Sequence, residues 1–296
     1  MRQLAGLYQE TRALLEQAGI EDASQETLQL FEYCLGLGRN DLLLRPKQTV
    51  DEQKADLLAA ALARRLAREP LQYITGTREF WSLDFIVSPA VLIPRPETEF
   101  LLDRVLAMLR WHGYSGGPVL DMCTGSGVIA TILALELGAG PVIAVDRSAA
   151  ALQVAVQNWK IHGLEEVIQP LCADLFNAFR AAASFELIVA NPPYIAEADL
   201  ATLQPEVRDW EPKTALLAGS RGMDIIEQLV GQSHEFLRAG GWLFMEIGSD
   251  QETEVNALFA GKADTRYENV EVLRDWSGRP RVLQARKTGG IPWTSS

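Results

Sequence analysis

Four residues, Asn191-Pro192-Pro193-Tyr194, combine an amide, an aromatic ring and two fixed backbone angles in one short stretch. They follow Phe185-Glu186-Leu187-Ile188-Val189-Ala190, an apolar run with the character of a buried strand. Neither proline has an N–H to donate, so a sheet ladder stops there. The strand therefore ends on a stiff turn carrying a carboxamide and a phenol. The Asn191 side-chain oxygen and the Pro192 carbonyl are two acceptors suited to a planar NH2 group. Pro193 would fix the direction of that carbonyl, and Tyr194 would pack on the planar group. An ordinary strand-ending turn would also explain Pro-Pro by itself.

Three further acids stand at strand ends upstream. Pro118-Val119-Leu120-Asp121-Met122-Cys123 reads as a strand running into Thr124-Gly125-Ser126-Gly127 and then an apolar helix from Val128. Glycines there permit a sharp turn and close approach of a ligand to the main chain. Val142-Ile143-Ala144-Val145 ends in Asp146, an acid placed to accept hydrogen bonds from both hydroxyls of a ribose. A third strand near Val167–Leu171 precedes Asp174, which is placed to bind an adenine amino group. Pro170 marks that strand as a sheet edge. Gly125-Ser126-Gly127-Val128-Ile129-Ala130 matches a dinucleotide fingerprint, with Asp146 about 20 residues on. Asp121, however, would repel a pyrophosphate and would suit the ammonium or sulfonium end of S-adenosylmethionine. Capping or turn roles remain open for Asp121 and Asp174. Taken with the Asn-Pro-Pro-Tyr turn, the pattern favours the methyl donor.

These residues must be positioned by alternating β and α units, hence by a parallel, doubly wound sheet. The sequence resembles class I S-adenosylmethionine-dependent methyltransferases and, among them, the HemK/PrmC family, glutamine N5-methyltransferases of peptide chain release factors. The residues that carry the resemblance are Pro70-Leu71-Gln72-Tyr73-Ile74-Thr75-Gly76, Pro94-Arg95-Pro96-Glu97-Thr98-Glu99, Asp121 to Gly127, Asp146 and Asn191 to Tyr194. It runs from the first helices to about Lys287. It implies a Rossmann-like seven-stranded methyltransferase sheet and S-adenosylmethionine held by Asp121, Cys123, Thr124, Gly125, Ser126, Gly127, Asp146, Asp174, Leu175 and Asn191. It further implies a glutamine in a Gly-Gly-Gln loop held by Asn191, Pro192, Pro193 and Tyr194, with Asn191, Pro192 and Tyr194 as the catalytic set. Two departures stand out. Met122-Cys123 replaces the more usual Leu-Gly, and Leu175 stands where some relatives carry an aromatic beside the adenine. Arg95 and Glu99 are expected either to mark a Pro-stiffened, acid-rich helix start or to face the same pocket.

Elsewhere the chain is organised more simply. Residues 1–75 show helical periodicity without strand alternation and read as a small all-α bundle, a substrate-recognition domain. Ser24, Asp41 and Asp51 are its candidate helix caps, Pro70–Gly76 its loop-like exit, and Arg64, Arg65 and Arg68 a solvated arginine face. Residues 76–93 read as a β-hairpin linker, 94–287 as the methyltransferase domain, with Thr98 near the start of its first helix, and 288–296 as a disordered tail. Residues 195–222 read as a long polar loop, a lid or a substrate-binding segment. The formal net charge of -12 disfavours a nucleic-acid backbone as partner. It also weighs against the runner-up activity, methylation of adenine-N6 or cytosine-N4 in nucleic acid. A dinucleotide-dependent oxidoreductase leaves the Asn-Pro-Pro-Tyr turn without a role. Three scattered cysteines and no metal-ligand spacing suggest neither disulfides nor a metal. No signal-peptide core or 18-residue apolar run is present, so a cytoplasmic protein without a membrane span is expected.

Overall fold

A computed structural model of the chain describes residues 2–138, 140–180, 184–260 and 266–289. It divides into two compact units, one of residues 1–77 with 204–210 and one of residues 78–203 with 211–296.

The smaller unit is built from α1 (Leu4–Gln17), α2 (Ala23–Leu35), α3 (Arg39–Leu44), α4 (Glu52–Leu66) and α5 (Leu71–Thr75). Its core joins Leu4, Leu7, Leu15, Leu30, Phe31, Leu58 and Ile74. Asp51 caps α4 by accepting from the Gln53 and Lys54 amides. Ser24 does not cap α2: the helix begins a residue earlier, after Asp22. Asp41 sits inside α3, where its carboxylate reaches back to the Gly38 amide. Pro70–Gly76 is not extended: Pro70 leads directly into α5, and Gly76 closes it in the left-handed region (φ +79°). Nor is the arginine face wholly solvated. Arg65 is 4% exposed and is held by Glu26 and Glu206, and Arg68 also binds Glu206. A guanidinium with two carboxylate partners can be buried at tolerable cost.

The larger unit opens with the hairpin β1 (Thr77–Phe80) and β2 (Leu83–Ile86), turned by Trp81 and Ser82 at positive φ. Then follow α6 (Pro96–His112), β3 (Val119–Met122), α7 (Val128–Leu137), β4 (Val142–Asp146), α8 (Ala149–Ile161), β5 (Ile168–Cys172) and β6 (Phe185–Ala190). The remaining elements are α9 (Pro205–Trp210, in the smaller unit), α10 (Asp224–Phe236), β7 (Leu237–Glu246), α11 (Glu252–Ala257), β8 (Tyr267–Arg274) and β9 (Pro280–Lys287). The polar stretch 195–222 is thus structured, with α9 flanked by short 3-10 turns. Of the expected tail, Thr288 still pairs with Arg266, and residues 290–296 lie outside the described residues.

Seven strands form one sheet in the order β5-β4-β3-β6-β7-β9-β8. β9 runs antiparallel to both neighbours, and the other pairings from β5 to β7 are parallel. Pro170 lies in β5, the edge strand where its missing N–H is harmless. The central strand β6 is buried along its whole length, as expected where helices cover both faces. Leu187 and Val189 face a core shared with α6, α7 and α8, whereas Ile188 and Ala190 face one shared with α10 and α11. Among the described residues no helix is long and apolar enough to cross a membrane.

One buried amide joins three pieces of this unit. Asn158 of α8, 0% exposed, accepts from the Ile86 amide and donates to the carbonyls of Ile86 and Ser126. It ties the hairpin and the glycine turn to one helix. Asn158→Ala would strand the Ile86 amide and the Ser126 carbonyl in an apolar setting. We expect a loss of about 2–4 kcal/mol in stability, read as a lower urea midpoint at unchanged m-value.

Candidate active site

The glycine turn begins where β3 ends. Cys123, Gly125 and Gly127 all take positive φ, at +62°, +55° and +83°. At Gly127 a side chain has no room, because a Cβ would come within 2.6 Å of Trp159 Nε1. Cys123 holds a left-handed conformation that a glycine would adopt at no steric cost. Its thiol is pushed up from its ordinary pKa by burial and by the neighbouring carboxylates, so it is a neutral wall rather than a nucleophile. Asp146, at the tip of β4, has both oxygens fixed by main-chain amides. Gly125 N–H donates to Oδ2 at 2.9 Å and Ser148 N–H to Oδ1 at 2.8 Å. Each oxygen keeps a lone pair for a further donor. Burial raises its pKa, and these amides oppose the rise.

These residues open onto a cleft. Cys123, Thr124, Gly125, Ser126, Asp146, Asp174, Leu175, Asn191 and Pro193 line it. Asp174 precedes a 3-10 turn but makes no side-chain cap to it. Apolar walls come from Val91, Leu92, Ile129 and Val145, and Arg147 contributes a cation. Gly127 and Asp121 support the cleft from behind without lining it. Strand alternation turns Asp121 toward the start of α7, where Oδ2 accepts from Thr124 Oγ1 and the Ala130 amide. Its Oδ1 is buried without a partner. Burial pushes this carboxyl up to about 7.

At the other end of the cleft, β6 delivers Asn191. Asn191 Nδ2 donates to Thr98 Oγ1 at 3.0 Å. Thr98 lies inside α6, which starts at Pro96 rather than at Thr98, and its own hydroxyl donates to Glu246 Oε2 at 2.8 Å. Tyr194 OH donates to the other oxygen, Glu246 Oε1, at 3.3 Å. The Tyr194 carbonyl accepts from Gln251 Nε2. Pro192 and Tyr194 sit beside the cleft, not in its lining. Burial pushes Glu246 up to about 7, with Glu97 adding to the rise and Arg281 opposing it. Arg95 and Glu99 are also outside the lining. Arg95 pairs with Glu211, whose Oε2 accepts from the Ile93 amide, and this pins the wall at residues 91–94. Glu99 accepts from the Trp81 amide and ties α6 to the hairpin turn.

Residues 6–76 match the PrmC N-terminal domain family and residues 97–205 the methyltransferase small domain family. A release factor glutamine methyltransferase from Koribacter versatilis is 41% identical over 262 residues, covering 87% of this chain and 89% of the relative. One from Escherichia coli K12 is 40% identical over 259 residues, covering 87% and 90%. The chain belongs to the release factor glutamine methyltransferase family. In fold it resembles the hMettl16 catalytic domain, with a TM-score of 0.57 at 14% identity, covering 86% of this chain and 88% of that one.

Three residues of this family member carry weight that sequence patterning did not assign: Thr98, Glu246 and Asn158. Each had a signal. Glu246 is a carboxylate ending the apolar run Trp242-Leu243-Phe244-Met245, and Asn158 falls on the apolar face of α8 with Ala155 and Trp159. Thr98 is the one neutral polar residue in an acidic helix start. None of these signals names a partner. The two raised carboxyls have a consequence for stability. Between their ordinary values near 4 and about 7, the folded protein keeps Asp121 and Glu246 protonated while the unfolded chain ionises them. The folded state then binds more protons, so their contribution is full below about pH 4 and is lost as pH rises through 7. Urea midpoints should therefore fall between pH 5.5 and pH 8, and replacing Glu246 by Leu should shallow that fall.

Proposed function

We propose that the protein transfers a methyl group from S-adenosylmethionine to the side-chain amide nitrogen (N5) of the glutamine in the Gly-Gly-Gln motif of peptide chain release factors. Its relatives' names supply the substrate class, and the observation that carries the chemistry is Asn191. With Nδ2 committed to Thr98, the amide is left with Oδ1 as an open acceptor at the edge of the cleft.

The donor set of the cleft fits S-adenosylmethionine. Asp146 has two fixed oxygens for a ribose, Asp174 offers an acceptor for an amino group, and Leu175 and Val145 offer apolar contact. The Cys123–Gly127 main chain borders the same space. Asp121 Oδ1 is an orphaned buried acceptor behind the turn, and an ammonium group bound on that side would favour the charged form of its carboxyl. When bound, S-adenosylmethionine supplies an electrophilic methyl group on a sulfonium. A carboxamide nitrogen is a weak nucleophile because its lone pair is delocalised into the carbonyl. Asn191 Oδ1 and the Pro192 carbonyl accept its two N–H bonds, which orients the nitrogen and stabilises positive charge as it develops there. Pro193 holds the second carbonyl in place. The Tyr194 ring packs beside the planar amide, and its hydroxyl, committed to Glu246, is not spare for proton transfer. No general base is needed, since a methylated amide nitrogen bearing positive charge is acidic enough to lose its proton to water. The substrate reading carries a cytoplasmic location with it.

Incubation with labelled S-adenosylmethionine and purified release factors should label the factor and fail with its Gly-Gly-Gln glutamine changed to alanine. Label entering only DNA or RNA would replace this reading with nucleic-acid methylation. Asn191→Ala should lower kcat by at least about a hundredfold while the cofactor Kd, from calorimetry, stays within about twofold. Asp146→Ala should do the reverse, weakening the cofactor by about tenfold or more through lost charge-assisted hydrogen bonds.

A further inference from the structure

The amide of Asn191 has two ends, and only one of them suits an N–H donor substrate. Nothing in the Asn-Pro-Pro-Tyr turn itself decides which end faces the cleft. The decision lies two hydrogen bonds away. Glu246 is 1% exposed at the end of β7, next to the strand that carries Asn191: Ala190 pairs with Met245. As a carboxylate it can only accept. It takes the Thr98 hydroxyl on Oε2 and the Tyr194 hydroxyl on Oε1. Thr98, having given its one proton to Glu246, can only accept from Asn191. Asn191 must then turn Nδ2 toward Thr98, and Oδ1 is what remains for the substrate.

We propose that Glu246 is a positioning residue which, acting through Thr98, sets the polarity of the Asn191 amide and thereby makes the site an acceptor for an NH2 group. The inference rests on the reading of Asn191 as the substrate-binding amide. Without the carboxylate, the Thr98 hydroxyl is free to donate to Asn191, and the amide can flip to offer Nδ2. An NH2 substrate then meets a donor and loses its hydrogen bond. The same relay predicts a pH effect. A protonated Glu246 can donate to Thr98 and reverse the chain, so turnover should rise as Glu246 ionises. The groups facing Glu246 are Thr98 and Glu97 from α6, Tyr194 from the turn, and Arg281 from β9, itself paired with Asp275. Glu97 and burial raise its pKa against the pull of Arg281 and the two hydroxyl donors, to about 7.

The test compares wild type, Glu246→Leu, Thr98→Val and Thr98→Ser in steady-state methylation of a purified release factor, with cofactor Kd and unfolding midpoint measured alongside. Leucine at 246 removes a buried carboxylate whose desolvation costs stability, so a folded protein is expected. Thr98→Val keeps the shape and removes the hydroxyl. The expected result is a kcat about tenfold or more lower in Glu246→Leu and Thr98→Val, cofactor Kd within about twofold, and kcat largely restored in Thr98→Ser. The limb of the kcat–pH profile near 7 should be present in wild type and absent in Glu246→Leu. The proposal is overturned if either variant keeps kcat within about threefold of wild type, if Thr98→Ser is as impaired as Thr98→Val, or if the loss is matched by a loss of cofactor binding. A wild type that does not methylate release factors would instead remove the functional reading beneath it.

Discussion

The site depends first on strand register. β3 lies between β4 and β6 in parallel, with Met122 opposite Val145 on one side and Ala190 on the other. Parallel strands end at the same edge. Because these three end within a residue of one another, Cys123, Asp146 and Asn191 emerge side by side. β7 continues the alignment, pairing Met245 with Ala190 and setting Glu246 beside Asn191. A one-residue slip in any of these pairings would turn its side chains to the opposite face and dismantle the cleft. Two full hydrophobic cores, one on each face of the sheet, are what hold the register.

Within that frame the polar groups divide by burial. Asp121, Glu186 and Glu246 sit on central strands and are almost wholly removed from water. Each is tolerated because it ties down backbone or hydroxyl donors. Asp121 pins the turn to α7, and Glu186 gathers the amides of Ser115 and Gly117 with Arg238. Glu246 fastens α6 to the Asn-Pro-Pro-Tyr turn. They differ in charge cost. The many donors around Glu186 hold its pKa below the ordinary carboxylate value, whereas Asp121 and Glu246 have fewer partners and are pushed up. The half-buried Asp146 and the exposed Asp174 are the acids that line the cleft. Burial thus separates the carboxylates that shape the site from those able to meet a ligand.

In the smaller unit, ion pairs hold one distant stretch of chain. Glu206, in the return segment 204–210, lies between Arg65 and Arg68. Five residues later Glu211 pairs with Arg95 in the larger unit. Both carboxylates look like ordinary surface charge in the sequence, and both are partnered instead. That accounts for order in a polar stretch with few apolar anchors of its own.

The local facts were legible in the residues themselves. Pro192-Pro193 had to end a strand, the glycines after Cys123 had to allow a sharp turn, Pro170 had to sit at an edge, and alternating elements implied a parallel sheet; each follows from backbone chemistry within a few residues. The fold class could be read in this way, as could the part of the cleft lined by the glycine turn, Asp146, Asp174 and Asn191, and the family resemblance agrees with the relatives. Other features required the assembled sheet. Asp121 alternates away from the cleft because strand geometry turns it under α7. Glu99 serves the hairpin, Arg95 clamps a wall, and Pro70–Gly76 becomes a helix because it packs into the bundle core through Leu71 and Ile74. The direction in which Asn191 presents its amide is the furthest removed from local pattern. It is set by Thr98, 93 residues away, and by Glu246 beyond it. Hydrogen-bond polarity is a property of a chain of contacts, and those contacts exist only once the strands are in register.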